Sequence, residues 1–513
     1  MKDLFKNMEN ELIQLALIGT ERGGELPALP PSFLVADDAS NEEKLLMAAA
    51  LLSLQERAAF LPEKYEGELP ELCEAETLPY MRQQSADLFV ILLSTNNSQP
   101  LVQHFLEKMI EKGRILRPNL LPQLLIYGKN RKELHHLIAN MIGKRGFWLA
   151  NQNAEWSYIK KQASQANVND WEEGTHQQRL AYLHQVRKQD AAAARELLEQ
   201  TWSKEGLAQR LEFLEIFSEK LSKEDEVFLS HLLAERSRDI RGLVMKLLAQ
   251  IPKSALQERM KKRLENILQI KTDSKGKAVF ELNLPEKCTD EMEKDGIDAK
   301  SKGYPSVKSG WVAQMINCVP LNELLPNKNH TILAYIDIIQ KSEWANILFP
   351  AFADSAVLHH TAAWKLALLE FWLKEGAGGH ITREKIIQLV NDLSPTAFTS
   401  LAKSADKEAY KDKKVMDLFA FRKKNWKETD TEIALITLKE AVKTYRDKQP
   451  FHCPEMLSFI QQIVLSISEN KIPYFTEVFT ELKDHNANWA KEMNAHIQQL
   501  QLRTRIFVEV SQN

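Results

Sequence analysis

At 513 residues the chain is longer than the roughly 250–300 residues over which one compact core keeps growing, so it needs several domains or one elongated array. Its 18 Gly and 19 Pro are too few for a loop-rich all-β protein, and 44% hydrophobic with 27% charged residues is the balance of a folded soluble chain. A net charge of −3 counts against a protein that lives by neutralising phosphates, although a local basic face stays open.

The elements begin at "MKDLFKNMENELIQLALIGTERGG". Its apolar part, 12–18, is interrupted by Gln14 and preceded by acids, which is not the pattern of a signal peptide. No window reaches the roughly 18 apolar residues of a membrane span, so a cytoplasmic protein without a membrane role is expected. The stretch 19–27, "GTERGGELP", lacks the Gly-Lys-Ser/Thr ending of a phosphate loop and reads as a helix stop. Asn41 is placed to cap a helix over 41–60 that Pro62 ends. Thr77 and Pro79 suit the start of the next helix, Pro118 starts another that Gly128 ends, and Gly143 and Gly146 close the helix "KELHHLIANMIGKRG".

From 175 to 269 amphipathic helices follow one another with connections of a few residues, which forces antiparallel neighbours. In "LAERSRDIRGLVMKLLAQIPKSALQERM", Ile240, Leu243, Val244, Leu247, Leu248 and Ile251 form one apolar stripe at helical spacing. The pair Asp190/Arg195 echoes Asp239/Arg241, with the arginines 46 residues apart, within the period of roughly 40–47 residues of HEAT-type helix pairs. The expected fold is therefore all-α, with HEAT-like stacked antiparallel pairs in the N-terminal part (1–269). The alternative is a non-repeating helical domain whose two similar helices fell 46 apart by chance.

Residues 270–310 are rich in Lys, Gly and Asp and hold one alternating run, "AVFELNL", which is an isolated strand or an extended tether. They are expected to be an irregular junction before a second helical domain, 311–513.

Candidate chemistry is sparse. The four Cys show no CxxC spacing and read as free, mostly buried thiols. His135–His136 and His359–His360 are adjacent, so on a helix they diverge by about 100° and do not share a metal. His452–Cys453 is no better as a ligand pair. No metal or cofactor and no catalytic residue is expected. The stretch 144–161, "KRGFWLANQNAEWSYIKK", mixes aromatics with bases, a mixture that suits a structural corner, a partner-contact loop or single-stranded nucleic acid. "FRKKNWKE" (421–428) has the same mixture and is expected on a solvated face.

Several segments together, "ALIGTER", "GKRGFWLANQNAEWSY", "DEVFLSHLLAERSRDIRGLVMKLLAQIPKSALQERM" and "EKDGIDAKSKGYPSVKSGWVAQMINCVPLNEL", resemble an uncharacterised bacterial all-helical family. Its members are typically encoded beside a MoxR-type AAA+ ATPase, a von Willebrand factor A-domain protein and a SWIM zinc-finger protein. The resemblance implies a component of an ATPase-linked assembly or remodelling system, and carries no catalytic residues with it. The expected function is a non-catalytic protein-binding scaffold whose partner is that ATPase or A-domain protein. The partner-contact residues assigned to it are Arg145, Trp148, Trp156, Arg236, Arg238 and Arg241. The alternatives are a nucleic-acid-binding helical repeat and, behind it, an enzyme with a site between the halves.

Overall fold

The computed structural model describes residues 2–22, 39–58, 70–159, 171–272, 274, 276–325, 330–375, 380–405, 413–423 and 426–512. The described chain is almost wholly α-helical, with a single two-stranded sheet among the described residues. It divides into two compact units, Met1–Leu72 and Cys73–Asn513. The expected divisions near 270 and 310 do not coincide with these units, because one hydrophobic core runs without a break from Trp171 to Leu500 and takes in Phe280, Leu282, Met292 and Ile297 on the way.

The first unit is a helical pair, α1 (Lys2–Ile18) and α2 (Asn41–Ala58). Helix α1 stops at Gly19, whose φ of +94° only glycine adopts without strain. Helix α2 is capped one residue earlier than expected. Ser40 Oγ accepts from Glu43 N (3.2 Å) and the Glu43 carboxylate accepts from Ser40 N (2.8 Å), a reciprocal box that Asn41 does not make. Residues 23–27 of the glycine-rich turn lie outside the described residues.

The second unit opens with α3 (Gln83–Ser94), α4 (Gln99–Glu111), α5 (Leu121–Gly128), α6 (His135–Met141) and α7 (Gly143–Gln152). Thr77 and Pro79 do not start α3. Residues 79–81 run extended beside Ile115, which binds Pro79 O and receives Met81 N. Gly143, at φ +60°, begins α7 rather than closing α6.

Next come α8 (His176–Gln189), α9 (Ala191–Thr201), α10 (Leu207–Ile216), α11 (Glu226–Leu232), α12 (Arg238–Gln250) and α13 (Ala255–Ile267). Helices α8, α10 and α12 lie side by side. Their first residues, 176, 207 and 238, recur every 31 residues, and that is the period of this region. The 46-residue echo joins unlike places. Asp190 is an N-cap that accepts from Ala192 N and Ala193 N, whereas Ser237 caps α12 and Asp239 lies inside it. Arg195 pairs with Asp225, while Arg241 binds backbone carbonyls.

The 31-residue beat has a physical core. Arg179 lies over the Trp171 ring (4.6 Å) and pairs with Glu205. Arg210 lies over Trp202 (5.1 Å) and pairs with Glu235, which also accepts from Trp202 Nε1 (2.6 Å). The third copy has Leu233 in the tryptophan's place, and Arg241 donates to Glu235 O (2.6 Å) and Arg236 O (2.9 Å). The first two clamps each tie one helix pair to the next, and the third fastens the corner before α12. The apolar stripe of α12 is buried at Ile240, Val244, Leu247 and Leu248, with Ile251 just beyond, as its spacing predicts.

Residues 268–306 splice the array rather than interrupt it. Strands β1 (Leu268–Thr272) and β2 (Ala278–Leu282) form an antiparallel hairpin with Ile270 opposite Phe280. Strand β1 continues directly from α13. After α14 (Asp290–Lys294), α15 (Val307–Asn317) and α16 (Leu321–Leu324), strand β2 packs on α17 (Ile332–Gln340). The hairpin therefore fills the place between α13 and α17.

The rest are α18 (Ala345–Leu358), α19 (Ala362–Glu375), α20 (Arg383–Asp392), α21 (Pro395–Ser404), α22 (Lys413–Phe421), α23 (Glu428–Tyr445), α24 (Pro454–Ser466), α25 (Ile472–His485) and α26 (Ala487–Gln512). They form two rows: α17, α19, α21, α23 and α25 touch in succession, as do α18, α20, α22, α24 and α26. Helix α12 touches α18, so the second row continues the row of α8, α10 and α12.

Several helix ends in that row, and that of α15 beside it, are tied by side chains of an adjacent helix. A helix leaves its last carbonyls without internal partners, and a cation there also meets the negative end of the dipole. Arg187 donates to Phe217 O, Glu219 O and Lys220 O beyond α10. His359 bonds Asn317 O. Arg422 donates to Val390 O and Leu393 O (2.8 and 3.0 Å), and Asn391 answers with Phe421 O (2.8 Å). Arg503 donates to Val464 O and Ile467 O. The stretch "FRKKNWKE" is divided where it is described: Phe421, Arg422 and Trp426 are buried, with Arg422 1% exposed and Trp426 packed edge-on to Phe419, while Lys423, Lys427 and Glu428 lie on the solvated face expected of it.

Asp225 joins two of these elements. It takes Arg187 at 2.9 and 2.6 Å and Arg195 at 3.1 Å, with both Arg187 and Asp225 fully buried. Burial pushes its carboxyl up, but the Arg187 guanidinium outweighs burial and holds it below the ordinary value. Its contribution is full above the ordinary carboxylate range and is lost as pH falls through the depressed one. Asp225→Ala strands the Arg187 charge, and urea unfolding should show a loss of about 3–5 kcal/mol. A change under about 0.5 kcal/mol, the usual range of a surface substitution, would show that the pair does not hold these helices.

Candidate functional site

The six residues assigned to a partner surface fall in two places. Arg145, Trp148 and Trp156 belong to the region 73–159, which has its own hydrophobic core, and Arg236, Arg238 and Arg241 sit at the corner between α11 and α12 in the long core.

In the first place, the carboxylate of Glu76 caps α7 by accepting from Lys144 N (2.9 Å) and Arg145 N (2.7 Å). A Cβ on Gly143 would collide with that carboxylate. Lys144 Nζ pairs with Glu74 (2.7 Å). A hydrogen bond with the Cys73 side chain raises the pKa of the Arg145 guanidinium. The short segment that precedes α3 thus holds the Lys144 ammonium and the N-terminal backbone of α7, while the Arg145 side chain is exposed. Trp148 is half-buried, while Trp156 is 9% exposed with an Nε1 that meets no partner among the described residues. Nearby, Tyr158 donates to Leu125 O (2.7 Å) and stacks on His135 (4.2 Å). Burial pushes the Tyr158 phenol up to about 12. This stretch is chiefly a structural corner. Lys160 and Lys161 lie outside the described residues.

In the second place the three arginines have different surroundings. Arg241 is half-buried and bound to its own corner through Glu235 O and Arg236 O. Arg238 is exposed and pairs with Asp298 at 3.4 Å, which ties the corner to the segment after α14. Arg236 is exposed. Gly296, at φ +92°, approaches Arg241 O closely, so the corner and the segment after α14 are packed together. The basic corner is visible in the sequence, but Asp298 is not. Sixty residues separate Arg238 from Asp298, and no local signal pairs them.

An open cleft of about 440 Å³ lies where α10, α12 and α13 face α16 and α18. Lys220, Gln257, Glu323, His359 and His360 line it. These groups serve the fold: Gln257 accepts from Lys253 N (2.8 Å) and donates to Ala249 O, His359 binds Asn317 O (3.0 Å), and His360 meets Asp392 (3.3 Å). Burial lowers the pKa of His359 and so favours its neutral form. The two histidines of the pair diverge, one to a carbonyl and one to a carboxylate, as their adjacency predicts. Cys318 is buried and its thiol is pushed up to about 12, far from a reactive thiolate. Among the described residues no group of three or more His, Cys, Asp or Glu is placed to hold a metal ion, and no helix is long and apolar enough to cross a membrane.

The fold and this surface define an all-α protein of stacked helices with a basic corner. Residues 11–510 match a family described as a family of unknown function, DUF5691, and the chain belongs to that family. No curated protein and no solved structure matches it.

Removing the Arg241 side chain leaves two corner carbonyls without their charged donor and should lower stability by about 1–3 kcal/mol. Arg236→Ala should stay within about 0.5 kcal/mol of the parent. Thermal melts of the two variants, taken side by side, check this; equal losses would mean that the corner is not organised around Arg241.

Proposed function

We propose that the chain is a non-catalytic protein-binding scaffold that works in the cytoplasm, with the α11–α12 corner as part of its contact surface. One observation carries this reading. Arg187, Arg422, Arg503, His359 and Gln257 are committed to internal helix ends, while Arg236 and Arg238 are exposed at the surface, Arg238 beside Asp298. Stacked helix pairs of this kind, HEAT-like in organisation, make long ridged surfaces suited to a protein partner. Guanidinium groups at a rigid corner suit carboxylates on that partner. Arg145 and Trp148 form a second, smaller patch on α7 by the same reading. The family resemblance supports an AAA+ ATPase of the MoxR type, or the A-domain protein encoded with it, as the partner.

The test is capture of the purified ATPase and the purified A-domain protein on the immobilised chain, with the Arg236→Ala/Arg238→Ala variant alongside. At least one should bind the parent, and the double variant should bind it about tenfold or more weakly, as loss of one or two rim-to-core arginines allows. Binding of neither protein sinks the assignment of the partner. Equal binding by parent and variant sinks the assignment of the corner.

A further inference from the structure

Helix α26 belongs to two cores. Trp489, Met493 and Leu500 are buried in the long core with α24 and α25, while Leu502, Ile506 and Val510 are buried in the other core, against the hairpin of α3 and α4. This last helix therefore couples the array to the region 73–159. The apolar contact is ringed by a few polar ones. Arg82 Nη1 donates to Gln512 O (2.9 Å), and Gln499 Nε2 donates to Asn97 O (3.2 Å).

One histidine, His104, sits in this joint, and a second, His496, borders it through Gln499. His496 is buried on α26, with the Phe479 ring of α25 beside it and Glu492 as the charged neighbour on its own helix. Gln499 commits its amide N–H to Asn97, so its Oε1 accepts from His496 Nδ1 (3.0 Å). That leaves Nε2 as the unprotonated nitrogen, and it is buried with no partner among the described residues. A proton there would create a donor and a charge with nothing to receive them. His104, half-buried on α4, faces Arg503 of α26, with Glu469 before α25 and with Lys108 and Glu107 on its own helix. Arg503 is itself buried and anchored to Val464 O and Ile467 O, so it cannot retreat from a second cation.

We propose that the joint between α26 and the α3–α4 hairpin is an acid-sensitive latch. Protonation of His104 and His496 loosens it and uncovers the apolar surface of Leu502, Ile506 and Val510. The sign follows from where the proton is tolerated. Burial, with the Arg503 charge added for His104, holds both histidines below their ordinary value of 6.5 while the joint is closed. Opened to water they regain that value. Closure is thus fully favoured above the ordinary value, and is weakened as pH falls below it because the open form takes up protons that the closed form resists. The Glu469 carboxylate beside Arg503 and Glu107 act against the effect at His104, and Glu492 acts against it at His496.

Hydrogen exchange of the full chain, corrected for intrinsic chemistry, at about pH 7.5 and about pH 5.5 reads the latch directly. Peptides covering 83–111 and 499–512 should lose protection at the lower pH relative to peptides covering 238–250. The His104→Gln/His496→Gln variant should keep their protection at both values. If 83–111 and 499–512 hold their protection at the lower pH, or lose it only together with 238–250, the latch is refuted. It is equally refuted if the variant is folded by near-ultraviolet circular dichroism and loses protection as the parent does. Should the variant not fold, the regional comparison in the parent chain decides alone.

Discussion

A helix packed on both sides still ends in carbonyls that nothing inside it can satisfy, and this structure depends on how those ends are met. In the row that contains α8, α10, α20, α22, α24 and α26, several are met by arginine or asparagine from the adjacent helix of the row, and the end of α15 beside it is met by His359. A buried guanidinium without partners would be strongly destabilising, but one spread over several carbonyls and a carboxylate is well satisfied, and Arg187 is the fullest case. The device stacks helices without demanding a strict sequence repeat, because the requirement is one donor near one helix end. That explains why the helices from α17 onward form rows as orderly as those from α8 to α13, although their spacing is irregular.

The same requirement bears on function. Side chains that would suit chemistry are occupied in holding the stack: His359 on a carbonyl, Gln257 across the top of α12 and α13, Cys318 in the core. The scaffold reading rests on that commitment. Helix α26 adds a second constraint, since a single helix divides its apolar residues between two cores and so transmits any loosening of one region to the other.

Much of this is legible in the sequence, though some of its signals compete. The helices, their short connections and the buried stripe of α12 follow from apolar spacing alone. The 31-residue period is legible too, in Trp171/Trp202 and in Arg179/Arg210/Arg241, with Glu205/Glu235 one residue short of it, but a pair of small acidic and basic motifs 46 residues apart competes with it. That pair fails because an aspartate followed by an arginine suits many helix starts, whereas an aromatic and an arginine at a matched offset, with a glutamate near the next helix start, can make one clamp. The candidate surface is half legible. The basic corner shows in the sequence, while Asp298, which pairs with Arg238, is distant, and Glu74 and Glu76, which meet Lys144 and the start of α7, lie before a helix that starts later than its capping signals suggest.

By itself the sequence determined the class of the fold, the position of most helices and the inward face of each, because all three follow from local propensity and a period of 3.6 residues. Only the tertiary structure decided that 268–306 is a splice within one core rather than a boundary, since Phe280 and Leu282 find their burial among helices from both sides of it. Only the tertiary structure decided that α26 joins residues 81–159 to the array. Loop-closure entropy rises slowly with length, so contacts across some 400 residues cost the fold little more than shorter ones and yet leave no trace in local sequence pattern.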